Sequence, residues 1–143
     1  MELITLILTA LSAGFFFAWS VTVIPGTKAV SDKTYLETMQ NVNKKIINPI
    51  FFVMFFGPAL LLIYSAIDLD PVKVGAAITY LVGPIGITMT RNVPLNDTLE
   101  AKDLSQMSEA EEKDFRTNYE KKWNFWHYTR TAISVISFVL VAL

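Results

Sequence analysis

Four side chains near the carboxyl end of the chain have types and a spacing that could do chemistry. They stand at positions i, i+3, i+4 and i+7, and they are Trp123, Trp126, His127 and Arg130. On a helix these positions share one face. If that helix crosses a membrane, the arginine and the histidine would point into a cavity, because charged groups within a span face the bundle interior or water. The alternative is a belt of interfacial tryptophans above an arginine that reaches back to the membrane surface.

A second polar group follows the third apolar segment, in the run of residues 91–97. Asn92 and Asn96 are four residues apart beside Asp97, so they offer donors and acceptors at the membrane depth of the first group. They could equally cap helix ends and satisfy backbone groups. Pro94 is expected to end the helix there. The arginine of the first group is expected to pair with Asp97 or with an exposed carbonyl of this helix.

The composition indicates what must position these residues. The chain has 143 residues, of which 52% are hydrophobic, and its formal net charge is −1. Its mean hydropathy is +0.42, which is above that of a soluble domain. Four long stretches carry almost no charge, and a near-zero net charge gives no reason to expect a nucleic-acid partner. We therefore predict a single all-α integral membrane domain over residues 1–143, built as a bundle of four transmembrane helices.

Three of the four spans follow directly from length. A bilayer core requires about 17–25 apolar residues, and we predict helices over residues 3–24, 49–67 and 73–90. Pro25 with Gly26 is expected to end the first of them. That first stretch is too long for a secretory signal, whose apolar region covers about 7–15 residues, so it is interpreted as a retained helix.

The fourth span requires an argument. The uncharged tail, residues 131–143, has only 13 residues, or about 20 Å at 1.5 Å per residue, against a core of about 30 Å. A start at Trp123 gives 21 residues and takes Arg130 about 10 Å into the membrane. The capping-box pattern at residues 108–111 predicts one helix over 109–143, with its membrane part at 123–143 and its first turns in the cytoplasm.

Other segments between and within the spans also carry signals. Residues 33–47 predict a short amphipathic helix, because apolar residues recur there at helical spacing. Gly57-Pro58 and Gly83-Pro84 could kink two helices and open a cavity, although such pairs are frequent in membrane helices without function. Aromatic side chains on the first two spans could line an aromatic pocket, or they could face lipid or core; they are Phe15, Phe16, Phe17, Trp19, Phe51, Phe52, Phe55 and Phe56.

The basic residues predict an orientation. Eleven Lys and Arg residues lie on the side of the two large loops, and only Lys73 lies on the side of the termini and the 68–73 turn. The positive-inside rule then places the loops in the cytoplasm and both termini outside, in a cell (inner) membrane.

Several familiar sites are missing from the sequence. There is no cysteine and only one histidine, so neither a multi-histidine metal centre nor a bis-histidine haem is expected. The carboxylates cluster in residues 97–120, which is typical of a solvated helix face. We therefore expect no metal and no cofactor.

Four motifs taken together resemble the anthrone oxygenase-like family, a group of small four-helix membrane proteins mostly of unknown function. The motifs are AGFFFAWS at 13–20 with IPG at 24–26, MQNVN at 39–43 with NP at 48–49, NVPLN at 92–96, and WNFWHYTRT at 123–131. The resemblance covers nearly the whole chain. Many members have Asn at the position of His127.

The resemblance implies a four-helix membrane fold and an oxygenase that converts an anthrone, a lipophilic aromatic, to an anthraquinone without a cofactor. Such a reaction requires a flat apolar pocket, a base, and donors for a developing oxyanion. By this resemblance His127 is the base and Arg130 the oxyanion partner. Substrate-binding positions are then Asn92, Asn96, Trp123, Trp126 and Asn43.

A different class of function remains open from the sequence. The chain could be a non-catalytic membrane protein that binds a lipid or small molecule, or an accessory subunit of a membrane complex, because no unambiguous catalytic constellation is present. Membrane lipids are expected partners in both cases, and a homo-oligomer is compatible with either. A closed, dry bundle with Arg130 paired to Asp97 would favour a structural role, whereas one pocket shared by the polar residues would favour the oxygenase.

Overall fold

The computed structural model describes residues 2–143, and within that part the chain is helical with no strand. Five helices follow one another: α1 (Glu2–Thr27), α2 (Asp32–Lys45), α3 (Pro49–Asp68), α4 (Pro71–Glu100) and α5 (Glu109–Ala142). A short 3-10 helix, Leu104–Gln106, precedes α5. Four of these five, all but α2, are long and apolar enough to cross a membrane. The predicted all-α membrane bundle is confirmed.

Two helices run further than predicted, because proline does not end them. α1 continues through Pro25, and α4 continues through Pro94 to Glu100. Each proline lies two residues after the end of a π-helical segment, Trp19–Val23 in α1 and Leu81–Asn92 in α4. Local π turns re-pair the backbone groups that a proline frees within a membrane helix. The expectation that Pro94 stops the helix is therefore wrong, as is the end predicted for the first helix.

Helix starts agree better with the sequence, because they depend on local caps. Ser108 and Glu111 form the predicted capping box at the start of α5, with the Ser108 amide donating to Glu111 at 2.8 Å. The amphipathic helix begins after Ser31, whose hydroxyl accepts from the amide of Thr34. At α3, Asn48 accepts from the amide of Phe51 at 3.0 Å. These caps satisfy the first free N–H groups of each helix.

The helix α5 is the centre of the bundle and packs against α1, α4 and, beyond the apolar segment, α2. We name the side with residues 28–48 and 101–108 the loop end, and the side with the 68–71 connection the turn end. Towards the turn end, polar side chains are satisfied inside the bundle. Tyr80 donates to the carbonyl of Phe55 at 2.8 Å and hydrogen-bonds with Ser12 at 2.8 Å. Ser137 donates to the carbonyl of Ala76 at 2.9 Å.

At the loop end, α2 is fixed to α5 by a buried cluster around Arg116. The guanidinium lies 4.5 Å above the ring of Tyr35. It donates to four oxygens at 2.9–3.1 Å, which belong to the carboxylates of Asp32 and Glu120 and to the carbonyls of Thr27 and Val30. Burial raises the pKa of the Tyr35 phenol well above its usual range, so the ring below the cation stays neutral.

Close packing of α4 on α5 depends on Gly83. A Cβ at this position would lie 2.4 Å from Cγ2 of Ile133, so only glycine allows this approach. Pro84, the next residue, is also buried. The helix α3 contacts α4 mainly through Pro71–Tyr80, near the turn end. Towards the loop end α3 and α4 make fewer contacts, and a cavity lies there.

Candidate functional site

A cavity of about 460 Å³ lies in the loop-end half of the bundle and is lined by all five helices. Its walls are mainly aromatic, and α1 and α3 supply Phe15, Phe16, Trp19, Phe51, Phe52, Phe55 and Phe56. The rings of Phe51 and Phe55 are stacked at 5.3 Å. The prediction of an aromatic pocket is confirmed for these residues, whereas Phe17 lies outside the cavity and is 55% exposed. A flat apolar molecule is the ligand that such walls suit.

Arg130 lines this cavity and is only 7% exposed. Its Nη1 donates to the Thr88 hydroxyl at 2.8 Å, and its Nη2 donates to Nδ1 of His127 at 2.9 Å. The guanidinium lies 4.7 Å from the ring centre of Phe16 and 5.3 Å from that of Trp123. The cation is thus held by an alcohol, a neutral imidazole and two ring faces.

No carboxylate pairs with Arg130 among residues 2–143. Asp97 lines the same cavity but makes no ion pair with it, so the predicted Asp97–Arg130 pair is wrong. A guanidinium has five N–H groups. Three of them donate to the protein: one N–H of Nη1 to Thr88, one N–H of Nη2 to His127, and the N–H of Nε also to His127, at 3.3 Å. Two N–H groups of a buried cation therefore have no partner in the described chain, and buried charges normally have one.

The hydrogen bonds of His127 assign its tautomer. Arginine can only donate, so the Nδ1 that faces Arg130 must carry a lone pair and the proton must be on Nε2. That Nε2 lies 3.0 Å from the Ser20 hydroxyl and 3.2 Å from the carbonyl of Phe16. The ring also stacks flat on Trp123, at 5.0 Å with an interplanar angle of 8°. In this arrangement the imidazole is neutral, and its only lone pair is occupied by Arg130.

Ser20 and Thr88 complete the polar part of the site, and sequence reasoning missed both. Ser20 donates to the carbonyl of Phe16 at 2.9 Å and hydrogen-bonds with Thr131 at 3.2 Å. It lies in the π-helical segment of α1. A signal for Ser20 exists, because it continues a stripe of buried small polar residues on α1 that also contains Thr5, Thr9 and Ser12.

Asn96 and Asn43 bring carboxamides to the loop end of the cavity. Oδ1 of Asn96 accepts from the indole N–H of Trp123 at 2.8 Å and from the Tyr119 hydroxyl at 3.2 Å. Because an indole can only donate, the amide orientation is fixed and Nδ2 is the group left to donate to a ligand. Nδ2 of Asn43 is buried without a hydrogen bond of good geometry, although its amide lies beside the Tyr119 hydroxyl.

Two predicted site residues lie elsewhere. Asn92 is buried behind the cavity wall, where its amide donates to the carbonyl of Trp123 at 3.2 Å. Trp126 lines a separate cleft on the outside of α5, and Arg91 lies 4.8 Å above its ring. The structure therefore brings together Asn43, Asn96, Trp123, His127 and Arg130 in one cavity, and leaves Asn92 and Trp126 outside it.

Metal ligands do not converge anywhere in residues 2–143. No group of three or more His, Cys, Asp or Glu side chains is placed to hold an ion there. The polar atoms of the cavity are instead hydrogen-bond donors around an arginine, which suit an oxygen atom of a ligand.

Comparison with known proteins identifies the family. A family model described as Anthrone oxygenase matches residues 36–140, which is 105 of the 143 residues. The chain belongs to the anthrone oxygenase family. No curated protein and no solved structure matches it. The range matched to the anthrone oxygenase family includes Thr88, Asn96, His127 and Arg130, whereas the aromatic and serine contributions of α1 lie outside it.

Proposed function

We propose that the cavity binds a flat, lipophilic aromatic ketone and that the protein oxidises it with O₂, as in the conversion of an anthrone to an anthraquinone. The observation that carries this proposal is the buried cation without a counter-anion. Arg130 offers two N–H groups beside aromatic walls, and an enolate oxygen supplies the missing negative charge. A cavity of about 460 Å³ is within the usual range for small-molecule sites.

Arg130 acts by favouring the enolate. Loss of a proton from the ring carbon opposite the ketone places negative charge on the oxygen. A fixed guanidinium at that oxygen stabilises the charge in a water-poor site, where such contacts are worth far more than in water. Donation from Arg130 to Thr88 and His127 holds the guanidinium in place before the ligand arrives, so little reorganisation is required.

We assign the base to Asp97 rather than to His127. The acidic carbon lies across the ring from the oxygen, so the base must lie away from Arg130, whereas His127 is bonded directly to it. Among the carboxylates that line the cavity, Glu100 is paired with Lys44 at 2.9 Å, and Asp97 has no ion pair with any described residue. In this proposal His127 is a positioning residue that orients Arg130.

The proposed reaction balances without a further reactant. Asp97 takes one proton from the methylene carbon, and the enolate reacts with O₂ at that carbon to form a C–O bond, giving a hydroperoxide once the proton returns. The hydroperoxide then loses its second C–H hydrogen while the O–O bond breaks. One oxygen atom stays as the new carbonyl and the other leaves as water, so one anthrone and one O₂ give one anthraquinone and one water.

Turnover by the purified protein tests this proposal. The full chain in lipid nanodiscs, given an anthrone under air, should produce quinone absorbance faster than the spontaneous reaction and consume one O₂ per quinone. Asp97→Asn and Arg130→Ala should each lose that excess. Arg91→Ala is the matched control, since Arg91 also lies over a tryptophan but outside the cavity. No excess rate for the unmodified protein would refute the oxygenase assignment.

A binding protein without turnover is the second candidate, and the occupied lone pair of His127 favours it. In that case the same cavity holds an anionic aromatic without changing it. Equilibrium binding of an anthrone in the absence of O₂ separates the two functions. Binding that requires Arg130, together with no excess oxidation under air, would establish the binding protein and exclude the enzyme.

We also propose that the loop end is cytoplasmic, which is supported by the basic residues that lie there. The natural chain has no cysteine, so single-cysteine variants give clean labelling. Val72→Cys at the turn end should react with an impermeant maleimide in intact cells. Gln106→Cys at the loop end should react only after the membrane is opened, and the reverse pattern would overturn the orientation.

A further inference from the structure

A second cleft, of about 610 Å³, lies on the outer side of α5 near the end of α1. It shares no lining residue with the aromatic cavity. Eight residues line it, and none is acidic: Lys28, Asn118, Lys121, Lys122, Asn124, Phe125, Trp126 and Tyr128. The proposed function leaves this cleft unexplained.

The charge of the cleft is uncompensated. Lys28, Lys121 and Lys122 make no ion pair with any residue from 2 to 143. Arg91 adds a fourth cation at the ring of Trp126. The nearby carboxylate of Glu120 is already bonded to Arg116. The carboxylate of Asp114 accepts from Asn118 at 3.4 Å and makes no ion pair with these lysines. Cations gathered without a paired carboxylate repel one another, and an anionic ligand would relieve that repulsion.

The order of side chains along this face of α5 indicates which anion fits. At 100° per residue, Lys121, Phe125, Tyr128, Val135 and Val139 share one face. Phe125 is 60% exposed and Tyr128 46%, while Val135 and Val139 are 38% and 49% exposed. The face thus changes from cationic to aromatic to aliphatic as it enters the apolar part of the helix.

The spacing of these zones agrees with one leaflet of a bilayer. Lys121 and Val135 are 14 residues apart, or about 21 Å at 1.5 Å per residue. Half of a bilayer with its headgroups is about 20–22 Å. Aromatic side chains prefer the headgroup boundary, which is where Phe125 and Tyr128 would lie. A soluble phosphate would use the lysines but not the aliphatic stretch.

We propose that this cleft binds an anionic phospholipid, with its phosphodiester at Lys28, Lys121 and Lys122 and one acyl chain along the aliphatic face of α5. Asn124 supplies an amide donor for the headgroup, whereas the amide of Asn118 already donates to the carbonyl and the carboxylate of Asp114. The lipid is thereby seated on the helix that carries Arg130, but on the outside of the bundle.

Native mass spectrometry of the full chain tests the proposal. The protein in detergent receives equal amounts of phosphatidylglycerol and phosphatidylcholine with identical acyl chains, and the ratio of the two adducts is measured. The ratio should exceed one. In Lys121→Gln/Lys122→Gln it should fall by up to about thirtyfold, since one lysine near an anionic surface is worth about fivefold.

The matched control is Lys33→Gln/Lys113→Gln, which removes the same charge from exposed lysines outside the cleft. This variant should keep the ratio of the unmodified protein. Equal losses in the two double variants, or a ratio of one for the unmodified protein, would overturn the site. Binding of glycerol 3-phosphate as tightly as the lipid would overturn the lipid assignment in favour of a soluble phosphate. Melting temperatures measured alongside exclude unfolding as the cause of a lost adduct.

Discussion

Arg116 and Arg130 lie on the same helix, are 8% and 7% exposed, and both lie over aromatic rings. Their partners differ. Arg116 donates to two carboxylates and two carbonyls, whereas Arg130 donates to a hydroxyl and a neutral imidazole. The first cation is compensated by the protein itself and joins α2 to α5. The second cation is oriented by its neighbours, but its charge is not compensated by a carboxylate. Such an arrangement is expected of a site that binds an anionic ligand.

Replacing Arg130 gives the largest expected effect and tests the uncompensated half of the comparison. Arg130→Met should lower the oxidation rate by about 10²–10³-fold, the usual cost of removing an oxyanion donor. The free energy of unfolding should stay the same or rise, since a buried charge without a counter-charge is replaced by an apolar side chain. Quinone formation and thermal unfolding in detergent measure the two effects. Strong destabilisation would show that Arg130 is a structural residue.

Replacing Arg116 should give the opposite pattern. Arg116→Met leaves Asp32 and Glu120 without their cation, and breaking such a pair costs about 3 kcal/mol. The melting temperature should fall, while the oxidation rate per folded molecule should stay near that of the unmodified protein. An Arg116→Met protein that is stable but inactive would contradict the division of roles between the two arginines.

A smaller effect is expected at His127, the neutral partner of Arg130. His127→Asn keeps a carboxamide oxygen that can accept from Arg130 but removes the basic group. The oxidation rate should fall about tenfold or less. A general base contributes about 10²–10⁴-fold, so a loss of that size would return the base role to His127. The ratio of kcat for the variant and the unmodified protein decides whether His127 is a positioning residue or the general base.

The smallest effect is expected from the single hydroxyl on α4 that orients the guanidinium. Thr88→Val keeps the shape of the side chain but removes the bond to Nη1 of Arg130. A loss of kcat of about fivefold is expected, because one hydrogen bond contributes about 1 kcal/mol. Thr90→Val is a control two residues further along α4, since Thr90 donates only to the carbonyl of Gly86. Equal losses in both variants would point to a general disturbance of α4.

Much of the fold could be predicted because it depends on local signals. Four spans follow from apolar length, and the capping box of Ser108 and Glu111 sets the start of α5. The ends of α1 and α4 could not be predicted in the same way. A proline looks like a stop in sequence, but Pro25 and Pro94 follow π-helical turns that a count of residues does not reveal.

Helical periodicity predicted the polar face of the candidate site only along α5, whereas Asn43 and Asn96 on other helices were expected from the motifs that contain them. Periodicity placed Trp123, His127 and Arg130 on a common face, and the cavity contains all three. Trp126 is about 60° from Trp123 at 3.6 residues per turn, and packing turns it outwards to Arg91. The partners of the site on other helices, such as Ser20 and Thr88, could not be found, because contacts between residues more than 40 positions apart leave no local pattern.

The length of α5 has a consequence for the whole molecule. Its 34 residues cover about 51 Å, so one unbroken rod connects the Arg116 cluster to the Arg130 cavity 14 residues further on. Such a rod fixes both the distance between the two arginines along the helix axis and the angle between their side chains around it. A single residue inserted between the two arginines would turn one relative to the other by about 100° and shift it by about 1.5 Å. The attachment of α2 at one end of α5 therefore determines which direction Arg130 faces at the other end.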